Sequence, residues 1–250
     1  MTNEQSRWNR LAHNPYYAVI NDPRNREGGS TADDRRAFFE SGERDVDATI
    51  SAIRAILDPT FSPSRTVDYG CGVGRMAMPL SRYSAHVAAV DISVTMLDEL
   101  RRNCAERRIT NVECHLSDEY LATSHRGSAD FVHSYIVLQH IPPRIGERII
   151  FHLVDQLTSG GIGAIHVTHT RVGASALRRT VNWTRGWLPP ANMLVNVVQG
   201  RPMLEPLIPM YRYNLGTLIT RLGARGCRAV HALPVDHGGF QGAMLLFRMP

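Results

Sequence analysis

Residues 65–75 read Arg-Thr-Val-Asp-Tyr-Gly-Cys-Gly-Val-Gly-Arg, and residues 86–91 read His-Val-Ala-Ala-Val-Asp. A short apolar strand runs into glycines at 70, 72 and 74, a helix-like stretch follows, and a second strand ends on an acid, Asp91. Glycine lets the chain turn sharply and lets a ligand approach the backbone where a Cβ would clash. An acid closing the second strand of a βαβ unit is placed to accept hydrogen bonds from ribose hydroxyls. The two features together predict a nucleoside-binding α/β domain.

The glycine spacing separates two kinds of nucleoside ligand. Dinucleotide enzymes use Gly-x-Gly-x-x-Gly, with the pyrophosphate docked on bare amides at a helix N-terminus. Here the third glycine, Gly74, comes one residue early, and Asp68 stands two residues before Gly70. A carboxylate there repels a pyrophosphate but suits a ligand carrying an ammonium group. S-adenosylmethionine is such a ligand, with adenine, ribose and a zwitterionic amino-acid tail. The segment resembles motif I of the class I S-adenosylmethionine-dependent methyltransferases, Asp/Glu-x-Gly-x-Gly-x-Gly, with Asp68, Gly70, Gly72 and Gly74 filling the pattern.

The resemblance continues along the chain. Asp91-Ile92-Ser93, followed by Met96, Leu97 and Leu100, looks like the family's second motif, which implies Asp91 on the ribose. Residues 111–116 read as a third strand, with Ser117-Asp118 where the family places an adenine-contacting acid. Residues 129–135 resemble the fourth strand, and Val137-Leu138-Gln139-His140-Ile141-Pro142 is similar to the ubiquinone-biosynthesis-like small-molecule branch. Residues 157–161 resemble the turn into a fifth strand at 162–167, residues 214–226 the late helix, and residues 227–233 and 244–248 the last two strands. The implied fold is a doubly wound α/β, Rossmann-like seven-stranded sheet of order 3-2-1-4-5-7-6 with strand seven antiparallel. The implied cofactor contacts are Asp68, Gly70, Cys71, Gly72, Gly74, Asp91, Ile92, Met96, Ser117, Asp118, Ser134 and Tyr135.

Composition narrows the remaining choices. With 250 residues and 43% hydrophobic content, the chain suits one α/β domain with an elaborated cap. No apolar run approaches the ~20 residues that span a bilayer, and the polar first ten residues have no signal-peptide core, so a cytoplasmic protein without a membrane partner is expected. Cys71, Cys104, Cys114 and Cys227 are scattered and predict reduced thiols rather than disulfides or a zinc site. All 28 basic residues are arginine. The absence of lysine excludes Schiff-base chemistry, a P-loop and the Tyr-x-x-x-Lys pair of short-chain dehydrogenases. Residues 1–170 hold 18 arginines and 21 acids, whereas residues 171–250 hold 10 arginines and 2 acids. Such asymmetry fits a face turned to an anionic partner, or simply a solvated helix face.

Residues 1–40 are read as an N-terminal lid, and 41–250 as the methyltransferase domain. A first domain helix is predicted to start near residues 41–43, from the spacing of Val46, Ile50, Ile53 and Leu57, and to stop at Asp58-Pro59. The resemblance implies that this helix lies over the cofactor, with Phe38, Phe39 and Gly42 nearby. Residues 171–213 form a cap insertion. It contains an aromatic-bearing helix with Trp183 and Trp187 ending at Pro189-Pro190, a second helix over 191–199, an extended proline-rich run from 201 to 209, and six arginines against Glu205.

Methyl transfer from a sulfonium chiefly requires alignment, and a hydroxyl acceptor also needs a base. His140, a few residues past strand four, is the first candidate, because ligands of open parallel sheets bind at the strands' carboxyl ends. A cap for the next helix is the competing role for it. His169 is the second candidate. His166 and His169 fall on opposite faces of one strand and do not share a metal. Gln139 stands where some relatives have a metal-binding Glu, so no metal is expected. His133 is expected to pack inside strand four, and Tyr211, Tyr213 and Asn214 are candidates for the acceptor pocket or for the core. Residues 134–137 do not carry the Asn/Asp-Pro-Pro-Tyr of DNA amino-methyltransferases, and no Pro-Cys dipeptide occurs, so nucleic acid is not the expected acceptor. The expected activity is S-adenosylmethionine-dependent methyl transfer to a hydroxyl, less readily an amine, of a small and possibly anionic metabolite, by a monomer or homodimer. The competing readings are a nicotinamide-dependent oxidoreductase and a non-catalytic cofactor-binding module.

Overall fold

The structure, a computed structural model, describes residues 3–12, 16, 31–171, 189–198, 203, 208–237 and 240–250. The predicted cap residues Trp183, Trp187, Arg178, Arg179, Arg185 and Arg201 lie outside them, as do residues 17–30 of the predicted lid.

The strands are β1 (Arg65–Tyr69), β2 (His86–Asp91), β3 (Val112–Leu116), β4 (Ala129–Ser134), β5 (Leu157–Arg171), β6 (Arg228–His237) and β7 (Phe240–Arg248). They form one seven-stranded sheet of order β3-β2-β1-β4-β5-β7-β6. β1 to β5 pair in parallel, while β7 runs antiparallel to both β5 and β6. This is the order and the single reversed strand that the sequence resemblance implies. The central strands are apolar without alternation because both of their faces are covered. Val87 and Ala89 pack on one side, and Ala88 and Val90 on the other.

The first side is closed by three helices: α2 (Ala32–Ile56), α3 (Ala77–Leu80) and α4 (Val94–Glu106). The second is closed by α6 (Pro143–Asp155) and α8 (Leu215–Ala224), with Tyr120 and Leu121 of the short α5 (Ser117–Thr123) at its margin. Two further helices are α1 (Asn3–Leu11) and α7 (Pro189–Val198). Pro189 and Pro190 open α7 instead of merely ending a helix before it, since proline is tolerated in a first turn.

Helix α2 begins nine residues before the apolar repeat predicts. Thr31 Oγ1 accepts from the Asp34 amide at 3.1 Å, and Asp34 Oδ2 accepts from the Thr31 amide at 3.0 Å. This reciprocal capping box nucleates turns that have no apolar stripe of their own. The helix ends at Ile56, before Asp58-Pro59 as expected. Strands β5, β6 and β7 also run longer than their apolar cores. Their ladder continues to Arg171, His237 and Phe240, with a register shift in β5 between Thr168 and Thr170.

The N-terminal residues are tied to α4. The Ser93 hydroxyl donates to Asn9 Oδ1 at 2.7 Å, and the Tyr16 hydroxyl donates to Glu99 Oε1 at 2.6 Å. Burial and the Glu99 contact push the Tyr16 phenol up to about 12, so it stays a donor. Phe38 and Phe39 pack edge-on against the Tyr16 ring at 5.2 and 6.0 Å, which makes them part of this latch.

Gly42 lets α2 reach the loop after β1, because a Cβ there would collide with the backbone carbonyl of Arg75. Gly42→Ala should therefore destabilise the protein by about 1–3 kcal/mol despite alanine's better helix propensity, seen as an earlier urea midpoint. An unchanged or later midpoint would show that α2 can move off the loop.

Candidate active site

The turn after β1 is built from three left-handed glycines, with φ of 78° at Gly70, 53° at Gly72 and 94° at Gly74. A Cβ at Gly70 would strike the Val137 side chain, and one at Gly74 would strike Leu100. The loop is fastened to the end of β2 by Asp91. Its Oδ2 accepts from the Gly72 amide at 2.9 Å and its Oδ1 from the Ser93 amide at 2.8 Å. Burial pushes the Asp91 carboxyl up, and those amide bonds pull it back toward the ionised form. Burial likewise pushes the Cys71 thiol well up, reinforced by Asp91 and Asp68, so it is a poor nucleophile.

Around this turn lies a cavity of about 560 Å³ at the carboxyl ends of the strands. Of the residues singled out in the sequence, Gly70, Cys71, Gly72, Asp91, Ile92 and Met96 line it, and so do Ser117, Asp118, Tyr135 and His140. Three others of that set do not. Gly74 packs against Leu100, the Ser134 hydroxyl donates to Tyr69 O at 2.9 Å, and Asp68 is paired with His133. His169 is also off the cavity, with Nδ1 2.9 Å from Thr170 Oγ1. Tyr213 is buried with its hydroxyl 2.9 Å from Ile141 O, and Asn214 caps α8 through the Thr217 amide at 2.9 Å. Both therefore hold the fold and do not line the cavity.

His140 sits on the 3-10 turn Leu138–His140, with Nδ1 3.0 Å from the carbonyl of Pro209. A carbonyl only accepts, so Nδ1 carries the proton and Nε2 the lone pair. Gln139 Nε2 lies 3.2 Å from that lone pair, while Gln139 Oε1 accepts from the Thr168 hydroxyl at 2.9 Å. The chain Thr168–Gln139–His140 thus orients the ring from β5. Trp8 of α1 packs edge-on to it, with centroids 5.5 Å apart.

Several lining residues were not anticipated. Trp8 comes from the polar N-terminal stretch. Arg75 is 5% exposed, donates to Asp45 Oδ2 at 2.7 Å and lies over the Tyr135 ring. Ile145, Arg148, Ile149 and His152 form one stripe of α6. Their spacing is helical and legible, but periodicity does not distinguish a cavity wall from a core. Ile136, just past β4, has φ of 60°, a costly conformation for a β-branched residue and one that tends to mark functional sites.

Residues 67–161 match a family described as a methyltransferase domain, covering β1 to the start of β5. That match and the sheet order make the chain similar to the class I S-adenosylmethionine-dependent methyltransferases. Among curated relatives, a ubiquinone biosynthesis O-methyltransferase of Methylococcus capsulatus is 32% identical over 78 residues, 31% of this chain and 33% of that protein. A carboxy-S-adenosyl-L-methionine synthase of Dichelobacter nodosus is 32% identical over 98 residues, 38% of this chain and 40% of that one. The chain thus spans only about a third to two fifths of these relatives' own length. The fold extends further. The S-adenosylhomocysteine-bound crystal structure of magnesium protoporphyrin IX methyltransferase from Synechocystis PCC 6803 has a TM-score of 0.64 at 18% identity, over 99% of this chain and 98% of that one.

The cofactor of class I methyltransferases fits the residues present. Asp91 offers acceptors to a ribose, Ile92 and Met96 offer apolar contact, and the bare turn at Gly70–Gly72 lets a ligand reach the backbone. Asp91→Ala should weaken S-adenosylhomocysteine by about 1–3 kcal/mol in calorimetric titration, because acceptors are lost and the turn is loosened. Gly223→Ala, where an added Cβ meets nothing within 4 Å, is the control and should bind as the parent does. Equal affinity in both would remove Asp91 from the site.

Proposed function

We propose that the protein transfers a methyl group from S-adenosylmethionine to a hydroxyl, less readily an amine, of a small molecule with an apolar body, and that His140 is the base. The observation that carries this reading is the place of His140, a cavity-lining residue beside Tyr135 and Ile136 whose Nδ1 is held on Pro209 O, so that an acceptor hydroxyl displacing the Gln139 amide meets Nε2. When bound, the cofactor supplies an electrophilic methyl on a sulfonium. The chain's own residues align the acceptor, exclude water and take its proton. Alignment alone is worth up to ~7–11 kcal/mol, and a positioned base adds ~10²–10⁴ in rate.

The nature of the wall supports a small acceptor. Trp8, Ile141, Pro142 and Ile145 are apolar, and the cavity is of ligand size. Arg75 is already engaged by Asp45, which disfavours it as a partner for an anionic acceptor. Any anionic preference would rest on Arg148 of α6, which lines the cavity. Two features speak against the nicotinamide reading: the glycine spacing, and the antiparallel β7 beside β5.

Candidate acceptors can be found by following labelled methyl from the donor into fractionated metabolite extract. With the acceptor in hand, His140→Ala should lower kcat by about 10²-fold or more, with cofactor affinity little changed, whereas His169→Ala should keep the parent rate. Full activity in His140→Ala would mean that the acceptor needs no base at this position.

A further inference from the structure

Beneath the cavity floor lies a buried acid–imidazole pair that the reaction so far leaves without a task. Asp68 of β1 stands opposite His133 of β4 in the parallel ladder, and His133 Nδ1 is 2.7 Å from Asp68 Oδ1. Both residues are sealed from solvent, at 0% exposure for His133 and 2% for Asp68. The second carboxylate oxygen, Oδ2, has no hydrogen-bond partner among the described residues, and neither does His133 Nε2. A buried carboxylate oxygen is costly to strip of water unless a donor reaches it.

The ladder places Asp68 and His133 directly beneath residues of the cavity wall. Side chains two apart on a strand share a face, so Asp68 lies one step below Gly70, and His133 one step below Tyr135. Gly70 and Tyr135 line the cavity, and glycine puts no side chain over the step. The imidazole is held in plane between Phe131, at 6.0 Å, and Tyr135, stacked at 6.5 Å, so it has little freedom to release its partner.

Resting on the cofactor reading above, we infer that His133 is a positioning residue. Its Nδ1–H fixes Asp68 Oδ1, which presents Oδ2 to the α-ammonium of the cofactor's amino-acid tail. The histidine itself touches no ligand and acts only through the carboxylate.

The test compares two ligands on one variant that keeps the ring and one that keeps the donor. S-adenosylhomocysteine, and an analogue with its α-ammonium replaced by hydrogen, are titrated into the parent, His133→Phe and His133→Asn. A parent that fails to bind S-adenosylhomocysteine overturns the cofactor reading itself, and this inference with it. A parent that binds both ligands equally overturns only the inference. His133→Phe keeps an aromatic ring between Phe131 and Tyr135 but donates nothing to Asp68. It should lose about tenfold or more in affinity for S-adenosylhomocysteine and little for the analogue. His133→Asn, which retains a donor, should recover most of that preference. In an Asp68→Asn background, His133→Phe should change the preference no further, since the two act as one unit. Equal losses for both ligands in His133→Phe would reduce the histidine to a packing role, and an undiminished preference would equally overturn the inference. If thermal melting shows that His133→Phe does not fold, His133→Leu takes its place as the variant without a donor: a lost preference that His133→Asn restores supports the inference, and an undiminished one overturns it.

Discussion

The site depends on one carboxylate that joins two strand ends. Asp91 closes β2 and accepts from the amide of Gly72, in the turn after β1, and from the amide of Ser93, which begins α4. A turn of three left-handed glycines is entropically expensive to order, and a short acidic side chain with two amide donors is an economical way to fix it. The same carboxylate keeps lone-pair capacity for a ligand, so the group that shapes the turn is also the one offered to a ribose. Loosening it disturbs the cavity floor and the start of α4 together.

The remainder of the cavity is organised around strand ends that the sheet order brings side by side. β4 sits between β1 and β5, so His133 meets Asp68 on one flank, while Gln139, just past β4, meets Thr168 of β5 on the other. Two buried polar relays thus flank β4. One ends below the turn and the other ends at the His140 ring. Helix α1 reaches the start of α4 through Asn9 on Ser93, and the end of the second relay through Trp8 on His140.

Much of this was legible in the chain, for identifiable reasons. The sheet order came from the ordered series of strand motifs, and the cofactor wall from glycines and an acid whose chemistry is local. His140 was legible because it follows a strand end. Contacts that depend on distant residues could not be read. Asp68 looks like a ligand residue in one dimension, but its first oxygen belongs to a histidine 65 residues later. Tyr213 resembles a pocket aromatic until its hydroxyl is found on the carbonyls around the 3-10 turn. Arg75 and Trp8 carry no periodic or motif signal, since their roles arise from what α2 and α1 pack against. The early start of α2 was missed because capping polarity, not hydrophobic spacing, sets it.

The reversed last strand also makes one edge of the sheet a local unit. β6 and β7 are neighbours in sequence and pair as a hairpin, so they can form locally before joining the sheet. β6 stands at the sheet edge and joins the sheet only through β7, which lies between it and β5. The far half of β5, from His166 to Arg171, is paired only with β7, whereas β1 to β4 are complete without the hairpin. Thr168 lies in that far half, so the relay to His140 is braced only once the hairpin has docked. The strands around the glycine turn are therefore held by near pairings alone, and the half that carries the Thr168–Gln139–His140 chain depends on the hairpin for its rigidity.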